Sequence, residues 1–288
     1  MMRWQREVAG ITFANPLLLA SGTAGFGREL EGVIALDRLG GVVTKAVSLL
    51  PREGNQPPRV AEFRGGMLNS VGLANPGVAH VRDVDLPWLA RHLTTARVLV
   101  NVVGFAPAEY AEVITCLEGA GPQVAYELNL SCPNTSAGGV EFGADPRSVA
   151  DVISRCRVVT RRPLFAKLSP ALPDIPLLAL AAHEAGADGV TLVNTLPGFL
   201  YDGATPRLGH GNGGVSGPAL LAVGLLAVRR VVARIPGMPV IGVGGVRSAT
   251  DVRQYLEAGA VLVAVGTAAL ADPRLPERIL DALESGGG

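Results

Sequence analysis

Apolar residues fall into eight short runs along the chain, at residues 17–20, 42–45, 98–103, 125–130, 164–168, 189–193, 240–243 and 261–265. Most are continuous rather than alternating, the pattern of parallel strands covered on both faces. Helical periodicities lie between them. Pro107 opens one, and Tyr110, Val113, Ile114 and Leu117 then recur at i, i+3, i+4 and i+7. Ser248, with Asp251 three residues on, marks another helix start, and Val252, Tyr255 and Leu256 follow on one face. Gly259 is placed to end that helix. A small repeat supports the scheme: Glu184-Ala185-Gly186-Ala187 and Glu257-Ala258-Gly259-Ala260 each precede an apolar run. Eight strands alternating with helices predict an α/β fold, a single (β/α)8 TIM barrel. A doubly wound open sheet is the structural rival.

Two connections are too long for simple turns. Residues 46–82 contain Pro51, Pro57, Pro58 and Pro76, and residues 194–217 are rich in glycine and polar groups. Insertions of this length after barrel strands build the active-site face, so long active-site loops are expected. No linker or low-complexity tract marks a second unit, and residues 1–288 are read as one domain.

Composition then narrows the function. Twenty-five basic residues balance 25 acidic ones, which argues against a broad nucleic-acid footprint. Cys116, Cys132 and Cys156 include no Cys-x-x-Cys pair, and their odd number fits a reducing compartment. His80, His92, His183 and His210 show no metal-ligand spacing, so no metal or iron–sulfur cluster is expected on this chain. The first seven residues lack the apolar core of a signal peptide, and no run is long enough to span a membrane. A soluble, cytoplasmic enzyme is the expectation.

Barrel active sites form at the C-terminal ends of the strands. Those ends carry Ser21-Gly22-Thr23, Lys45, Asn101, Asn129 with Cys132, Lys167, Asn194-Thr195, Gly244-Gly245 and Gly266-Thr267. Any one lysine there can simply reach solvent, but two lysines and three asparagines at five strand ends are hard to explain as packing. Gly244-Gly245 and Gly266-Thr267 follow the last two strands, where barrels bind phosphate through backbone N–H groups and a helix N-terminus. A tight turn needs the same glycines, yet their paired occurrence points to a phosphate-bearing cofactor. Lys45 and Lys167 would face its ring; positive charge beside a flavin favours the anionic reduced form. In the stretch from Asn129 to Asn134, the Cys132 thiol can move a proton and the two amides can grip a flat polar ring. Residues 133–143, with Gly138, Gly139 and Gly143, look like a loop able to close and exclude water. An unperturbed thiol has a pKa near ~8.5, so a cysteine base works better as pH rises. Cys132 can also be read as a small buried hydrophobe, a reading that suits Cys116 and Cys156 better.

These stretches resemble the dihydroorotate dehydrogenase family over nearly the whole chain. The likeness rests on Ala20-Ser21-Gly22-Thr23, Thr44-Lys45-Ala46-Val47, Pro51-Arg52-Glu53-Gly54-Asn55, residues 69–77, residues 129–134, Asn194-Thr195, Ser216-Gly217-Pro218-Ala219 and Gly244-Gly245-Val246. It implies an FMN-holding barrel that oxidises dihydroorotate to orotate in pyrimidine biosynthesis. Cys132 matches the family's base. Lys45, Asn69, Asn129 and Asn194 match substrate ligands, with Ser70, Val71, Gly72, Leu73 and Thr195 beside them. Ser21, Lys45, Ala46, Asn101, Asn129, Lys167, Val193, Gly217, Gly244, Gly245, Gly266 and Thr267 match the FMN site.

The quinone-using class has a serine base and an N-terminal extension, whereas this chain has cysteine. Residues 138–143 and Asn75-Pro76-Gly77 look like the NAD-linked class. There a homodimer of this chain would form the core of a heterotetramer, with FAD and an iron–sulfur cluster on a partner subunit. The fumarate-using homodimeric class is the alternative. Leu220-Leu221-Ala222 departs from the more polar, proline-containing segment expected after Gly217-Pro218-Ala219. Two further readings stand beside this one: a flavin barrel acting on another pyrimidine or on tRNA uridine, and a non-catalytic phosphate-binding barrel.

Overall fold

The computed structural model describes residues 4–131, 133–134 and 140–286. All eight apolar runs enter one closed parallel barrel. Its strands are β1 (Leu17–Leu19), β2 (Gly41–Val43), β3 (Arg97–Val102), β4 (Gln123–Asn129), β5 (Leu164–Leu168), β6 (Gly189–Leu192), β7 (Val240–Val243) and β8 (Leu262–Val265). Each pairs with the next, and β8 returns to β1 through Val263 opposite Leu17. Closure rules out the open sheet. The second strand starts and ends earlier than its apolar run implies. Past Val43 the Lys45 N–H turns to the Gly25 carbonyl at 2.8 Å, so the lysine sits in the loop above the strand.

Helices between the strands form the outer ring: α1 (Leu86–His92), α2 (Pro107–Leu117), α3 (Pro146–Val159), α4 (Ile175–Glu184), α5 (Leu220–Arg234), α6 (Ala249–Glu257), α7 (Thr267–Ala271) and α8 (Leu275–Glu284). Tyr110, Val113, Ile114 and Leu117 are the fully buried face of α2, as their spacing predicts. Ser248 caps α6 by accepting from the Asp251 N–H at 3.2 Å, while the Asp251 carboxylate accepts from the Ser248 hydroxyl and the Arg247 N–H, both at 2.9 Å. The repeated Glu-Ala-Gly-Ala segments close α4 and α6, each with its glycine at positive φ.

The barrel strands have two apolar faces with a period of two. Leu17, Leu19, Val42, Val98, Val100 and Leu164 pack outward into the helical layer. Leu18, Ala20, Val43, Leu99, Ala125, Phe165, Ile241, Leu262 and Ala264 fill the interior. Each large side chain buried there contributes about 1.5–3 kcal/mol. A hairpin of Arg6–Val8 and Ile11–Phe13 adds Val8 and Phe13 to this inner cluster and plugs its lower end.

Asp37 shows how a loop is held to the barrel wall. Its carboxylate accepts from the N–H groups of Thr94, Thr95 and Ala96 and from the Thr94 hydroxyl, at 2.8–2.9 Å, just before β3. Burial pushes this carboxyl up, but the four donors together outweigh it and hold the group below its ordinary value. A folded-state pKa below the unfolded one gives stability that is present at neutral pH and lost as pH falls through the folded value. Asp37→Ala is expected to cost about 2 kcal/mol at pH 7. The gap to wild type should shrink in acid; a gap independent of pH down to the acid transition would rule out the ionised carboxylate as its source.

The two long insertions are not simple loops. Val60–Phe63 and Gly66–Asn69 from the first join Leu196–Phe199 and Asn212–Ser216 from the second in a four-stranded antiparallel sheet. The expected long insertions over the active-site face are therefore present, and part of their length is paired backbone.

Candidate active site

Extending the inward phase of each strand toward its C-terminal end brings polar residues into the barrel. In β3 the inward residues are Leu99 then Asn101; in β4, Ala125, Glu127 and Asn129; in β5, Phe165 then Lys167; in β6, Gly189 then Thr191. The apolar inner cluster thus carries a polar layer on top. Asn101 donates through Nδ2 to Glu127 Oε1 at 2.7 Å, and Lys167 Nζ lies 3.4 Å from the same oxygen. Glu127 is 1 % exposed and Lys167 7 %, so this ion pair is well removed from solvent. Asn129 Oδ1 accepts from Asn194 Nδ2 and from the Ser131 N–H, both at 3.3 Å. The buried Tyr110 of α2 donates to the Asn129 carbonyl at 2.8 Å and fixes the end of β4 from behind.

Across the mouth, backbone turns replace side chains. Gly244 and Gly245 follow β7 with φ of +122° and +72°. A Cβ at Gly245 would run into the Leu221 backbone at the start of α5, and one at Gly217 would lie 2.7 Å from the Gly65 carbonyl oxygen. α6 begins only at Ala249, so Gly244-Gly245 form a turn ahead of the helix, whereas Gly266 directly caps the short α7. Thr267 donates to Ser216 Oγ at 2.7 Å, tying α7 to the sheet over the mouth. Tyr255 of α6 donates to the Gly244 carbonyl at 2.9 Å. Burial pushes its phenol well above the ordinary value, so it remains a donor at any working pH.

The capping sheet delivers the 69–73 segment. Asn69 Nδ2 donates to the Gly214 carbonyl at 3.0 Å. Asn55 Nδ2 donates to Ser70 Oγ at 2.7 Å, and the Asn55 N–H bonds the Val71 carbonyl at 3.1 Å. Gly72 and Leu73 both have positive φ, which makes a tight bend. The Thr195 N–H bonds Asn194 Oδ1 at 2.9 Å, and the Val193 N–H bonds the Val243 carbonyl at 2.8 Å. Ser21 and Lys45 are partly exposed beyond β1 and β2, and Ala46 is buried.

Cys132 lies outside the described residues, as do Gly138 and Gly139. The ends of the segment around them are paired, Pro133–Asn134 against Val140–Glu141. Gly143 N–H then bonds the Leu130 carbonyl at 2.7 Å. Cys156 is fully buried on α3, and burial pushes its thiol up to about 12; Cys116 is partly buried against the outer core. Both behave as packing residues, as expected.

The family model for dihydroorotate dehydrogenase matches residues 3–286, a span that contains this whole mouth. The chain belongs to the dihydroorotate dehydrogenase family. It is 44% identical over 281 residues to a Pelobacter propionicus protein named dihydroorotate dehydrogenase B (NAD(+)), catalytic subunit, covering 96% of this chain and 91% of that one. A Desulforudis audaxviator protein of the same name is 46% identical over 269 residues, covering 92% and 86%. A Solibacter usitatus protein provisionally named dihydroorotate dehydrogenase A (fumarate) is also 46% identical, over 278 residues, covering 96% and 90%.

Dihydroorotate dehydrogenases are flavin-dependent, and this mouth has the chemistry to hold a flavin. The buried Asn101 Oδ1 and Thr191 Oγ1 have no hydrogen-bond partner among the described residues, an arrangement that favours a ligand offering polar groups. Gly217, Gly244 and Gly245, all at positive φ, make turns of bare backbone, a surface that a phosphate can approach closely. Among the described residues no His, Cys, Asp and Glu group could hold a metal ion, and no helix is long and apolar enough to cross a membrane.

Sequence reading missed Glu127, Tyr255 as a support of the Gly244 turn, and Asn55. Glu127 had a signal: it is a charge inside an apolar strand, in phase with Asn129. Tyr255 showed only as part of a helix face and Asn55 only as part of a family-like stretch, neither with a contact to the mouth.

Proposed function

We propose that this chain oxidises dihydroorotate to orotate with FMN held at the barrel mouth. The observation that carries the reading is the buried Lys167–Glu127–Asn101 network beside the Asn129–Asn194 pair, within a chain of this family. The whole chain serves as one FMN-binding domain. The backbone at Gly217, Gly244, Gly245, Gly266 and Thr267 holds the phosphate, and Ser21, Lys45, Ala46, Asn101, Asn129, Lys167 and Val193 line the rest. When bound, FMN supplies a two-electron acceptor for hydride. Asn69, Asn129 and Asn194 bind the planar ring of the substrate through amides that can both donate and accept. Lys45 reaches its carboxylate, and residues 70–73 with Thr195 complete the enclosure. Cys132 takes the proton from one ring carbon while hydride leaves the neighbouring carbon, so a carbon–carbon double bond forms.

For the electron acceptor we propose NAD, reached through a partner subunit carrying FAD and an iron–sulfur cluster, with a homodimer of this chain at the core of a heterotetramer. The relatives named as NAD-linked catalytic subunits support this, as do the motifs at residues 75–77 and 138–143. Fumarate use by a homodimer is the second reading, favoured by the Solibacter relative of equal identity. A cytoplasmic location fits either.

Anaerobic mixing of the purified flavin-loaded chain with dihydroorotate tests the half-reaction. Loss of flavin absorbance with release of orotate is expected. A flavin that stays oxidised would reject this substrate, and reoxidation by fumarate without any partner would move the acceptor to the second reading.

A further inference from the structure

Glu127 is assigned no contact with flavin or substrate above, yet it is the hub of the polar layer. One oxygen meets both Asn101 Nδ2 and Lys167 Nζ, from the strands on either side of its own. Stability alone does not explain the cluster, because a buried ion pair is often no more stabilising than apolar residues of the same volume. The charges instead fix orientations. A carboxylate can only accept, so the Asn101 amide must turn its NH2 toward Glu127 and leave Oδ1 as an acceptor. Lys167 has a long flexible stem, and Glu127 holds its ammonium group at one place inside the barrel.

We propose that Glu127 is a positioning residue for the flavin: it anchors Lys167, orients Asn101 and offsets part of the lysine's charge, thereby setting the reduction potential at this site. The inference rests on the flavin reading above. Its sign follows from charge. Positive charge beside the ring favours the anionic reduced flavin, and a neighbouring carboxylate diminishes that effect. Removing the negative charge while keeping the side chain's shape makes the site more oxidising.

The test is a spectroscopic redox titration of the flavin-loaded wild type and of Glu127→Gln, Lys167→Gln and the double variant. Glu127→Gln is expected to shift the oxidised–reduced equilibrium about tenfold toward the reduced form, a rise of about 30 mV for a two-electron couple. Lys167→Gln should shift it the other way, and the double variant should return toward wild type. An unchanged or lower potential in Glu127→Gln overturns the proposal. Should Glu127→Gln purify without flavin, FMN titration of the apoproteins decides. Tighter binding by the double variant than by Glu127→Gln supports a role exerted through Lys167, and additive losses overturn it. A wild-type chain that takes up no FMN would overturn the flavin reading itself, and this inference with it.

Discussion

Cys132→Ala is expected to lower turnover of dihydroorotate about 10²–10⁴-fold while leaving the flavin content unchanged. That range is what a positioned general base contributes. The flavin should stay because the proposed phosphate site lies elsewhere, on the turns after β7 and β8 and on Gly217. The pH profile sharpens the test. A thiol acts as base only when deprotonated, so the wild-type rate of flavin reduction should rise with pH toward ~8.5, the ordinary thiol value. The alanine variant should lose that rise along with the rate. Turnover of the variant within a few-fold of wild type at neutral pH would remove Cys132 from the mechanism. A variant with little activity and little flavin would instead assign it a packing role.

Gly245→Ala should give the opposite pattern: a folded barrel with at least tenfold less bound flavin. Two costs meet at this position. Its φ of +72° is a left-handed conformation, costing an alanine roughly 1–2 kcal/mol. The added methyl group would also collide with the Leu221 N and Cβ at the start of α5, which cannot retreat cheaply because they belong to a helix terminus. The turn, or the helix start, has to move. Gly237→Ala separates the two costs, since Gly237 has φ +87° but open space where a Cβ would go. It should lose some thermal stability and keep its flavin. Full flavin retention by Gly245→Ala would show that the turn does not hold the phosphate.

The barrel was legible because its strands are buried on both faces, which turns each into an uninterrupted apolar run. Leu164–Leu168 illustrates why the same pattern hides chemistry: Lys167 announces itself, while the charge at Glu127 reads as an interruption until the inward phase of β4 is known. The sheet over the mouth was not legible. Its strands contain Gly198, Gly213, Gly214 and Pro197, which depress strand propensity, and they pair residues as far apart as Asn69 and Gly214. The candidate site was legible at its strand ends, where Lys167, Asn101, Asn129 and Asn194 do converge. Its supports were not. Spacing shows that Tyr255 belongs to the buried face of α6, but not that its hydroxyl reaches the Gly244 carbonyl.

The seat of that tyrosine has a consequence for how such sequences can drift. A Cβ at Gly242 on β7 would strike the Tyr255 ring, and one at Gly224 on α5 would strike its hydroxyl. Three positions on three separate elements therefore share one volume. Any two of them constrain the third, and a larger residue at 224 or 242 becomes tolerable only after position 255 has shrunk. That order of events passes through a chain whose Gly244 carbonyl has lost its donor. Exchanges at these positions should accordingly arise together rather than singly, so covariation among 224, 242 and 255 would trace the support of the turn after β7.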